Sequence, residues 1–585
     1  MKFVGTVKKV IYSSPTFSVF VVSKGMENII VTSDIPVEVG ETFEFEGDFT
    51  THPRYGLQFK SIKTLPVDGL EASIFSIKGI SSSTWKKLKQ SYGWKLNNVL
   101  RHDPYRIAFE IKGVGFKKAD TIAQGLGISK EQRNSAATRW VLESYFENGH
   151  TAMPLEEFYF ELEKLNASPV ADETVIVGNL ITTKQMFEIE KQLAEKLLSL
   201  SNSIGWWNSP DFLERLKNFP KTEEFSFTSD QLAAFSCLAY PVSILTGGPG
   251  TGKTTLLKFF VKFLKSEGLS VVIAAPTGKA ARRLEEVTGA KAFTIHKLLL
   301  QLTPNAADVL IIDETSMLSV DLALKLLSSL NPPVQIIFVG DPDQLPSIEP
   351  GNFLEDLINS RCFVHWHLTS KHRFRTSGIA LAAEKVLEGK WPSGVEFIPS
   401  TTDTIFSTLS KFDNSWQLLV PMKRGKVGTS RINAFMQKRF ASSVRNFGGI
   451  RLGVGDRIIW TKNDYTLMLL NGQVGKVTSI TPLKFKFEDE NSPRSIPHEK
   501  LFMLDLAWAI SIHKSQGSQF EKVLIPVFTE HYIMLSRRLI YTALTRAEKE
   551  CIFIGQKRAL MMGINKKDQL KRNTLLVNFL KKLHT

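Results

Sequence analysis

A glycine-rich segment, GGPGTGKTT at Gly247 to Thr255, contains the residue types that bind nucleotide phosphates. The apolar run Val242 to Leu245 predicts a strand before it, and the spacing of leucine and phenylalanine predicts a helix over Thr254 to Lys265. Backbone N–H groups of such a loop can surround a phosphate, and the helix N-terminus adds partial positive charge. The predicted ATP-binding residues of this loop are Gly247, Gly248, Pro249, Gly250, Thr251, Gly252, Lys253, Thr254 and Thr255.

Acidic and polar side chains follow two later strand-like runs. Asp313 and Glu314 come directly after Val309 to Ile312, and Gln344 lies shortly after Val334 to Val339. Ligands bind at the carboxyl ends of parallel strands in open α/β sheets. Asp313 is therefore predicted to hold Mg²⁺ through water, while Glu314 orients and deprotonates the attacking water. Gln344 is placed to contact the γ-phosphate.

Three other side chains are candidates for contact with the same nucleotide. Arg546, in YTALTRA, and Arg373, in LTSKHRF, could stabilise charge on a transferred phosphoryl group. Gln231, in TSDQLAAF, could bind the adenine edge. The predicted catalytic residues are thus Lys253, Glu314, Gln344, Arg373 and Arg546, and the predicted metal ligands are Thr254 and Asp313.

The bulk composition narrows the class of protein. A chain of 585 residues is long enough for about three to five domains. Lys and Arg number 73 against 58 Asp and Glu, and this excess favours a polyanionic partner, although a generally solvated basic surface explains it equally well. The scattered Cys237, Cys362 and Cys551 argue against a disulfide framework or a zinc site. With neither a signal-peptide pattern nor a bilayer-length apolar stretch, we expect a soluble cytoplasmic protein with no membrane partner.

The N-terminal residues have the pattern of a small β-barrel that resembles oligonucleotide-binding folds. Gly40, Gly47 and the stretch Pro53 to Gly56 supply turns between short strand-like runs. These runs are Gly5 to Ile11, Phe17 to Val22, Ile29 to Thr32, Thr42 to Phe49 and Leu57 to Ile62.

Two glycine-marked turns follow the barrel in a helical context. IKGVG at Ile111 to Gly115 fits a helix-hairpin-helix, whose exposed backbone N–H groups can hold a DNA phosphate without reading bases. IKGIS at Ile77 to Ser81 is weaker, because Ser81 stands where a glycine is expected. The alternative is a glycine turn that only joins packed helices. The candidate DNA-binding residues here are Lys112, Gly113 and Gly115.

Taken together, the motifs resemble those of the RecD-like DNA helicases of superfamily 1, the branch that moves 5′ to 3′ on single-stranded DNA. The motifs that carry the resemblance are GGPGTGKTT, APTGKAARRL at Ala275 to Leu284, TIHKLL at Thr294 to Leu299, IIDETSM at Ile311 to Met317, GDPDQLPS at Gly340 to Ser347, NGQVGKV at Asn471 to Val477, HKSQGSQF at His513 to Phe520 and YTALTRA at Tyr541 to Ala547. The resemblance implies that Thr277, Lys279 and His296 face DNA. It also implies that His513 and Lys514 lie near the strand or the nucleotide.

The resemblance also implies an α/β architecture with two RecA-like P-loop domains. The expected domains are an OB-like barrel over residues 1–66, a helix-hairpin-helix region over 67–132, a helical region over 133–221, the ATP-binding first motor domain over 222–354, and the second motor domain over 355–585 with an SH3-like insertion at about 452–505.

Three features depart from the family pattern. Gln519 occupies a position where a glutamate is usual near the ribose, and Phe374 follows Arg373 where a glutamine is typical. Relatives insert a β-hairpin pin that parts the duplex before the strand of Asp313, but here only Gln301 to Ala307 is available for it. The sequence therefore leaves efficient strand separation open.

The predicted function is that of an ATP-dependent 5′ to 3′ DNA helicase or translocase acting in repair, recombination or replication. Its expected partners are single-stranded DNA and tailed or forked duplexes, with ATP and Mg²⁺ as cofactors and a monomer as the working unit. The main alternative is a DNA-stimulated ATPase that translocates or remodels without efficient unwinding. A small-molecule phosphotransferase, an RNA track and a protein-docking role for the N-terminal region are further alternatives.

Overall fold

The computed structural model describes residues 1–14, 16–25, 27–52, 56–67, 81–301, 307–369, 378–447, 449–464, 466–469, 471–488, 490–566 and 572–584. The chain forms two compact units. The first comprises Met1–Tyr145 and Met153–Lys184, and the second comprises Phe146–Ala152 and Gln185–Thr585. Every helix in the described part of the chain is too short or too polar to cross a lipid bilayer.

The first unit begins with a closed five-stranded barrel, as predicted. Its strands are β1 (Lys2–Ser14), β2 (Phe17–Lys24), β3 (Glu27–Ser33), β4 (Thr42–His52) and β5 (Gly56–Pro66), in the order β1-β2-β3-β5-β4. Alternate side chains of these strands point inward, so Phe3, Phe20, Phe45 and Phe59 form a buried aromatic core. Each of the five predicted strands is present and extends beyond its predicted bounds.

Short helices and a small sheet complete the first unit. The helices are Ser82–Tyr92, Leu96–His102, Arg106–Glu110, Phe116–Gly125, Lys130–Phe146 and Leu155–Lys164. The strands β6 (Met153–Pro154), β7 (Thr174–Val177) and β8 (Leu180–Thr183) pair in the order β6-β8-β7. This sheet corrects the prediction of a helical region over 133–221. The β-branched runs flank a Gly178-Asn179 turn, a hairpin signal that the helical interpretation overlooked.

The predicted first motor domain, a name kept below for this region, contains a parallel sheet of six strands. They are β9 (Val242–Gly247), β10 (Val271–Ala275), β11 (Lys291–Thr294), β12 (Val309–Ile312), β13 (Gln335–Gly340) and β14 (Val364–Leu368), in the order β11-β10-β12-β13-β9-β14. The helices around it are Ser229–Ala234, Lys253–Ser266, Gly278–Thr288, Ile295–Gln301, Val320–Ser328 and Phe353–Ser360. The predicted strands before the glycine loop, the acid pair and Gln344 are all confirmed.

The core of this domain draws on segments that the prediction assigned elsewhere. One sheet face packs against the helices Lys184–Ser201 and Leu576–His584, while the other packs against Trp207 and the helix Pro210–Thr222. The sheet itself continues to Leu368. The predicted boundaries at 222 and 354 are therefore too narrow for this domain. They are placed around the sequence motifs and leave out the helices that cover the sheet and its last strand.

The second motor domain is built on another parallel sheet, interrupted by a small β-unit. In chain order its strands are β15 (Glu396–Pro399), β16 (Gln417–Val420), β17 (Ser442–Phe447), β18 (Ile450–Val454), β19 (Arg457–Trp460), β20 (Val474–Ile480), β21 (Leu483–Phe487), β22 (Leu504–Leu506), β23 (Ala509–Ser511), β24 (Phe520–Val527) and β25 (Ala547–Gly555). The parallel sheet has the order β15-β25-β24-β16-β23. Its helices are Gly378–Leu387, Ile405–Leu409, Thr429–Phe440, Arg537–Leu544 and Lys557–Asn565. The inserted unit comprises β17 to β22, so it begins ten residues before the predicted position 452.

Candidate nucleotide and DNA site

The glycine loop joins β9 to the helix Lys253–Ser266 in a tight left-handed path. Gly250 has φ +75° and Gly252 has φ +88°, a region of backbone conformation that glycine adopts without a Cβ penalty. Thr251 Oγ1 donates to the carbonyl of Gly248 at 2.9 Å. Lys253 Nζ donates to the carbonyls of Gly247 and Gly248, the latter at 3.0 Å. The lysine ammonium is thereby held over the loop.

The acid pair lies at the carboxyl end of β12, beside the loop. Burial raises the pKa of Asp313 to about 7, the Glu314 charge adds to this increase, and the charges of Lys253 and Arg283 oppose it. Glu314 has φ +52°, a left-handed conformation that is strained for a side-chain-bearing residue. A half-buried carboxyl group that resists ionisation on its own is suited to a divalent cation, which favours the charged form.

A hydrogen-bond network connects Gln344 to the second motor domain. Arg546 Nη2 donates to Gln344 Oε1 at 2.8 Å, and Gln344 Nε2 donates to Asp341 Oδ2 at 3.2 Å. Tyr541 Oη also donates to Asp341 Oδ2, at 3.0 Å, and burial raises the pKa of this tyrosine well above its usual value. Arg546 is only 2% exposed, and its Nε and Nη1 donate to the carbonyls of Thr542 and Ser518. Its guanidinium is therefore fixed at the boundary between the two motor domains.

These groups surround one cavity of about 150 Å³. Its lining includes the predicted residues Gly248, Pro249, Gly250, Gly252, Lys253, Thr254, Thr255, Asp313, Glu314, Gln344 and Arg546. Gly247 and Thr251 belong to the adjoining backbone of the loop. Gln231 lies behind the loop, where it is 2% exposed and donates from Nε2 to the Thr251 carbonyl at 3.5 Å. Arg373 lies outside the described residues, as does Phe374.

Sequence reasoning missed three residues of this site. Asp341 and Tyr541 form the link described above, and Arg283 lines the cavity from the helix Gly278–Thr288. Arg283 Nη1 donates to Oε1 of Gln519, the residue that departs from the family pattern. All three lie inside the motifs APTGKAARRL, GDPDQLPS and YTALTRA. Their partners are distant in sequence, however, so no local pattern could have identified the contacts.

A groove of about 450 Å³ adjoins the cavity and contains two predicted DNA-binding residues. Thr277 caps the helix Gly278–Thr288 through the N–H of Ala280, and Lys279 extends from that helix. Lys279 Nζ donates to the Gln519 carbonyl at 3.2 Å and lies 3.6 Å from the Glu488 carboxylate, so it already spans both motor domains. Lys514 lines the same groove. His296 is half-buried near the start of the helix Ile295–Gln301 and does not line this groove.

The helix-hairpin-helix turn of the first unit has the predicted form. Gly113 has φ +88°, and Gly115 caps the helix Phe116–Gly125 with extended backbone. Lys112 is exposed, and its carbonyl accepts from Lys87 Nζ at 3.3 Å. Lys118 Nζ donates to the Gly113 carbonyl at 3.4 Å, so lysine ammonium groups flank the turn. Residues 77–80 of the weaker turn lie outside the described residues.

Four family models match consecutive parts of the chain. The OB-fold domain of the ATP-dependent DNA helicase YrrC matches residues 1–64, and the HHH domain of the ATP-dependent RecD2 DNA helicase matches residues 72–152. An AAA domain matches residues 226–403, and a UvrD-like helicase C-terminal domain matches residues 506–554. These matches fall on the barrel, the helical region and the two parallel sheets.

Two relatives match over most of the chain. The ATP-dependent RecD2 DNA helicase of Deinococcus radiodurans is 29% identical, and the alignment covers 85% of this chain and 76% of the relative. The RecBCD enzyme subunit RecD of Mycolicibacterium smegmatis is 28% identical, with coverage of 69% and 84%. A crystal structure of Bacteroides Pif1 bound to ssDNA is 20% identical, with a TM-score of 0.37 and coverage of 56% of this chain and 92% of that chain.

Proposed function

Because this chain belongs to the RecD-like DNA helicases of superfamily 1, we propose that it is an ATP-driven motor that moves 5′ to 3′ along single-stranded DNA and separates duplex DNA. The observation that carries the proposal is the contact of Arg546 with Gln344 across the two motor domains. A nucleotide in this cavity would touch both domains, so its binding and hydrolysis would close and reopen the cleft.

The residues present fit a magnesium nucleotide. Backbone N–H groups of the glycine loop and the ammonium of Lys253 would hold the β- and γ-phosphates, and the Thr254 hydroxyl and the Asp313 carboxylate would hold Mg²⁺. The metal would supply charge neutralisation between the phosphates. Glu314 would accept the proton of the attacking water, and Gln344 and Arg546 would stabilise the charge that develops on the γ-phosphoryl group.

DNA would be bound mainly through its backbone. Thr277 and Lys279 of the groove, together with His296, would contact the single strand, and the turn of Lys112 to Gly115 would hold a phosphate without reading sequence. We propose single-stranded DNA and tailed or forked duplexes as partners in repair, recombination or replication, and a monomer as the working unit. The N-terminal unit could also dock a protein partner.

One observation favours a second candidate function, a DNA-stimulated ATPase that translocates without efficient unwinding. The helix that ends at Gln301 is separated from the start of β12 at Val309 by seven residues. Of these, residues 302–306 lie outside the described part of the chain. A connection of this length is too short for a long β-hairpin that could separate the two DNA strands.

The proposal is tested by ATP hydrolysis with and without single-stranded DNA. We expect DNA to stimulate hydrolysis by the wild-type protein and Lys253→Ala to abolish it. Lys258→Ala is the matched control, because this exposed lysine lies on the same helix but does not line the cavity. An ATP hydrolysis rate that single-stranded DNA does not change, or wild-type hydrolysis by Lys253→Ala, would contradict the proposal.

A further inference from the structure

Arg283 occupies a position at the nucleotide cavity to which the proposed mechanism assigns no task. It lies on the helix Gly278–Thr288 of the first motor domain, half-buried, and lines the cavity together with Lys253 and Arg546. Its Nη1 donates to Gln519 Oε1 of the second motor domain. Arg283 and Lys279 are four positions apart, so they share a helix face, and both donate to Gln519.

Arg283 has no direct ion-pair partner within the described part of the chain. Its side chain donates there to a neutral amide, and no carboxylate of the described residues lies within ion-pair distance of it. An arginine carries five donors, so a single contact with an amide oxygen leaves donors available. The next residue, Arg282, behaves differently. It is exposed, and its Nε donates to Glu286 Oε1 on the same helix at 3.0 Å.

The cavity contains the cationic side chains that phosphates need, beside the carboxylates of Asp313, Glu314 and Asp341 that suit the accompanying Mg²⁺. Lys253 and Arg546, like Arg283, donate to neutral carbonyl or amide oxygens in the described structure. Three cationic groups therefore converge on one small cavity from the glycine loop, from the neighbouring helix and from the second motor domain.

We propose that Arg283 is a further phosphate-contacting residue of the ATP site, held in place by Gln519 at the boundary between the motor domains. The inference deepens the proposed function and depends on it. A guanidinium that donates both to a nucleotide phosphate and to Gln519 would bridge the first domain, the nucleotide and the second domain. The affinity that it adds should therefore grow with the number of phosphates on the nucleotide.

The test is equilibrium binding of fluorescent ATP, ADP and AMP analogues with Mg²⁺ to the full-length protein and its variants. Removing a charged hydrogen bond in Arg283→Ala should weaken ATP binding by about 10- to 100-fold, with AMP changed by less than about threefold. Arg283→Lys keeps the charge and should recover part of the loss. Arg282→Ala is the matched control and should bind like the wild type.

Two results would overturn the inference. One is ATP binding by Arg283→Ala within about threefold of the wild type. The other is an equal loss for ATP and AMP, which would make Arg283 a contact that only holds the domains together. Steady-state hydrolysis with single-stranded DNA separates this inference from the proposed function. A wild-type protein without DNA-stimulated hydrolysis refutes the function, whereas an active wild type with an unaltered Arg283→Ala variant refutes only the role of Arg283.

Discussion

Replacing Arg546 by alanine should slow ATP hydrolysis far more than it weakens ATP binding. The structure fixes this guanidinium mainly through three carbonyl oxygens: that of the Gln344 amide at 2.8 Å, that of Thr542 at 3.2 Å and that of Ser518 at 3.3 Å. It is therefore preorganised to meet charge that develops on the transferred phosphoryl group. Arginines in this role contribute about 10³-fold or more to the rate, which corresponds to about 4 kcal/mol of transition-state stabilisation.

Steady-state hydrolysis with saturating single-stranded DNA measures this effect directly. We expect kcat to fall by about 10³-fold while KM for ATP changes by less than about tenfold. Arg546→Lys should also be slow, because one ammonium cannot reproduce a planar fork with three acceptors. Arg538→Ala is the matched control. It removes another contact between the motor domains, the 3.0 Å bond to Glu355, away from the cavity lining.

A folded Arg546→Ala protein that hydrolyses ATP within about tenfold of the wild type would refute the reasoning. Folding is checked by circular dichroism, since alanine also leaves three buried acceptors without their donor. A variant that fails to fold shifts the test to Arg546→Lys, whose stem fills most of the same space. Equal losses of kcat in that variant and in Arg538→Ala would equally contradict the account.

Three further predictions concern hydrolysis, packing and pH. Glu314→Gln should retain ATP binding but lose about 10²- to 10⁴-fold in the rate constant of hydrolysis, measured in a single turnover. A near-normal rate constant would exclude Glu314 as the base. Leu580→Ala should lower the free energy of unfolding by about 2–5 kcal/mol in a urea titration, because Leu580 is fully buried. Leu583, which is 47% exposed on the same helix, is the control. Equal effects of Leu580→Ala and Leu583→Ala would contradict this packing. Burial raises the pKa of Glu190 from 4.5 to about 7, so between these pH values the carboxyl group is ionised in the unfolded chain but protonated in the folded one. The free energy of unfolding should therefore fall by up to about 3 kcal/mol as the pH rises from 4.5 to 7. Glu190→Gln should lose that part of the pH dependence of urea unfolding between pH 4.5 and 7, and an unchanged profile would contradict the assignment.

The local parts of the motor could be predicted because each is encoded within about twenty residues. The run Val242 to Leu245, the glycines and the leucine-rich helix after Lys253 specify strand, loop and helix with no help from the rest of the chain. The acid pair after β12 could be placed for the same reason, since a buried strand determines where its carboxyl end lies.

Contacts between distant segments could not be predicted in this way. Glu190 accepts from the backbone N–H groups of Leu575 and Leu576, which are 385 and 386 residues away, and this contact joins the C-terminal helix to the first motor domain. Apolar periodicity shows that Leu576 and Leu580 share a helix face but not which sheet covers them. The link of Arg283 to Gln519 spans 236 residues and was missed for the same physical reason.

Displacement of a labelled strand from 5′-tailed and 3′-tailed duplexes, with ATP and Mg²⁺, shows whether the protein unwinds DNA and in which direction it moves. We expect the wild-type protein to displace the strand from the 5′-tailed substrate alone, and the Glu314→Gln variant to displace neither. Displacement only from the 3′-tailed substrate would contradict the proposed direction. DNA-stimulated hydrolysis without displacement from either duplex would contradict unwinding and favour a translocating ATPase.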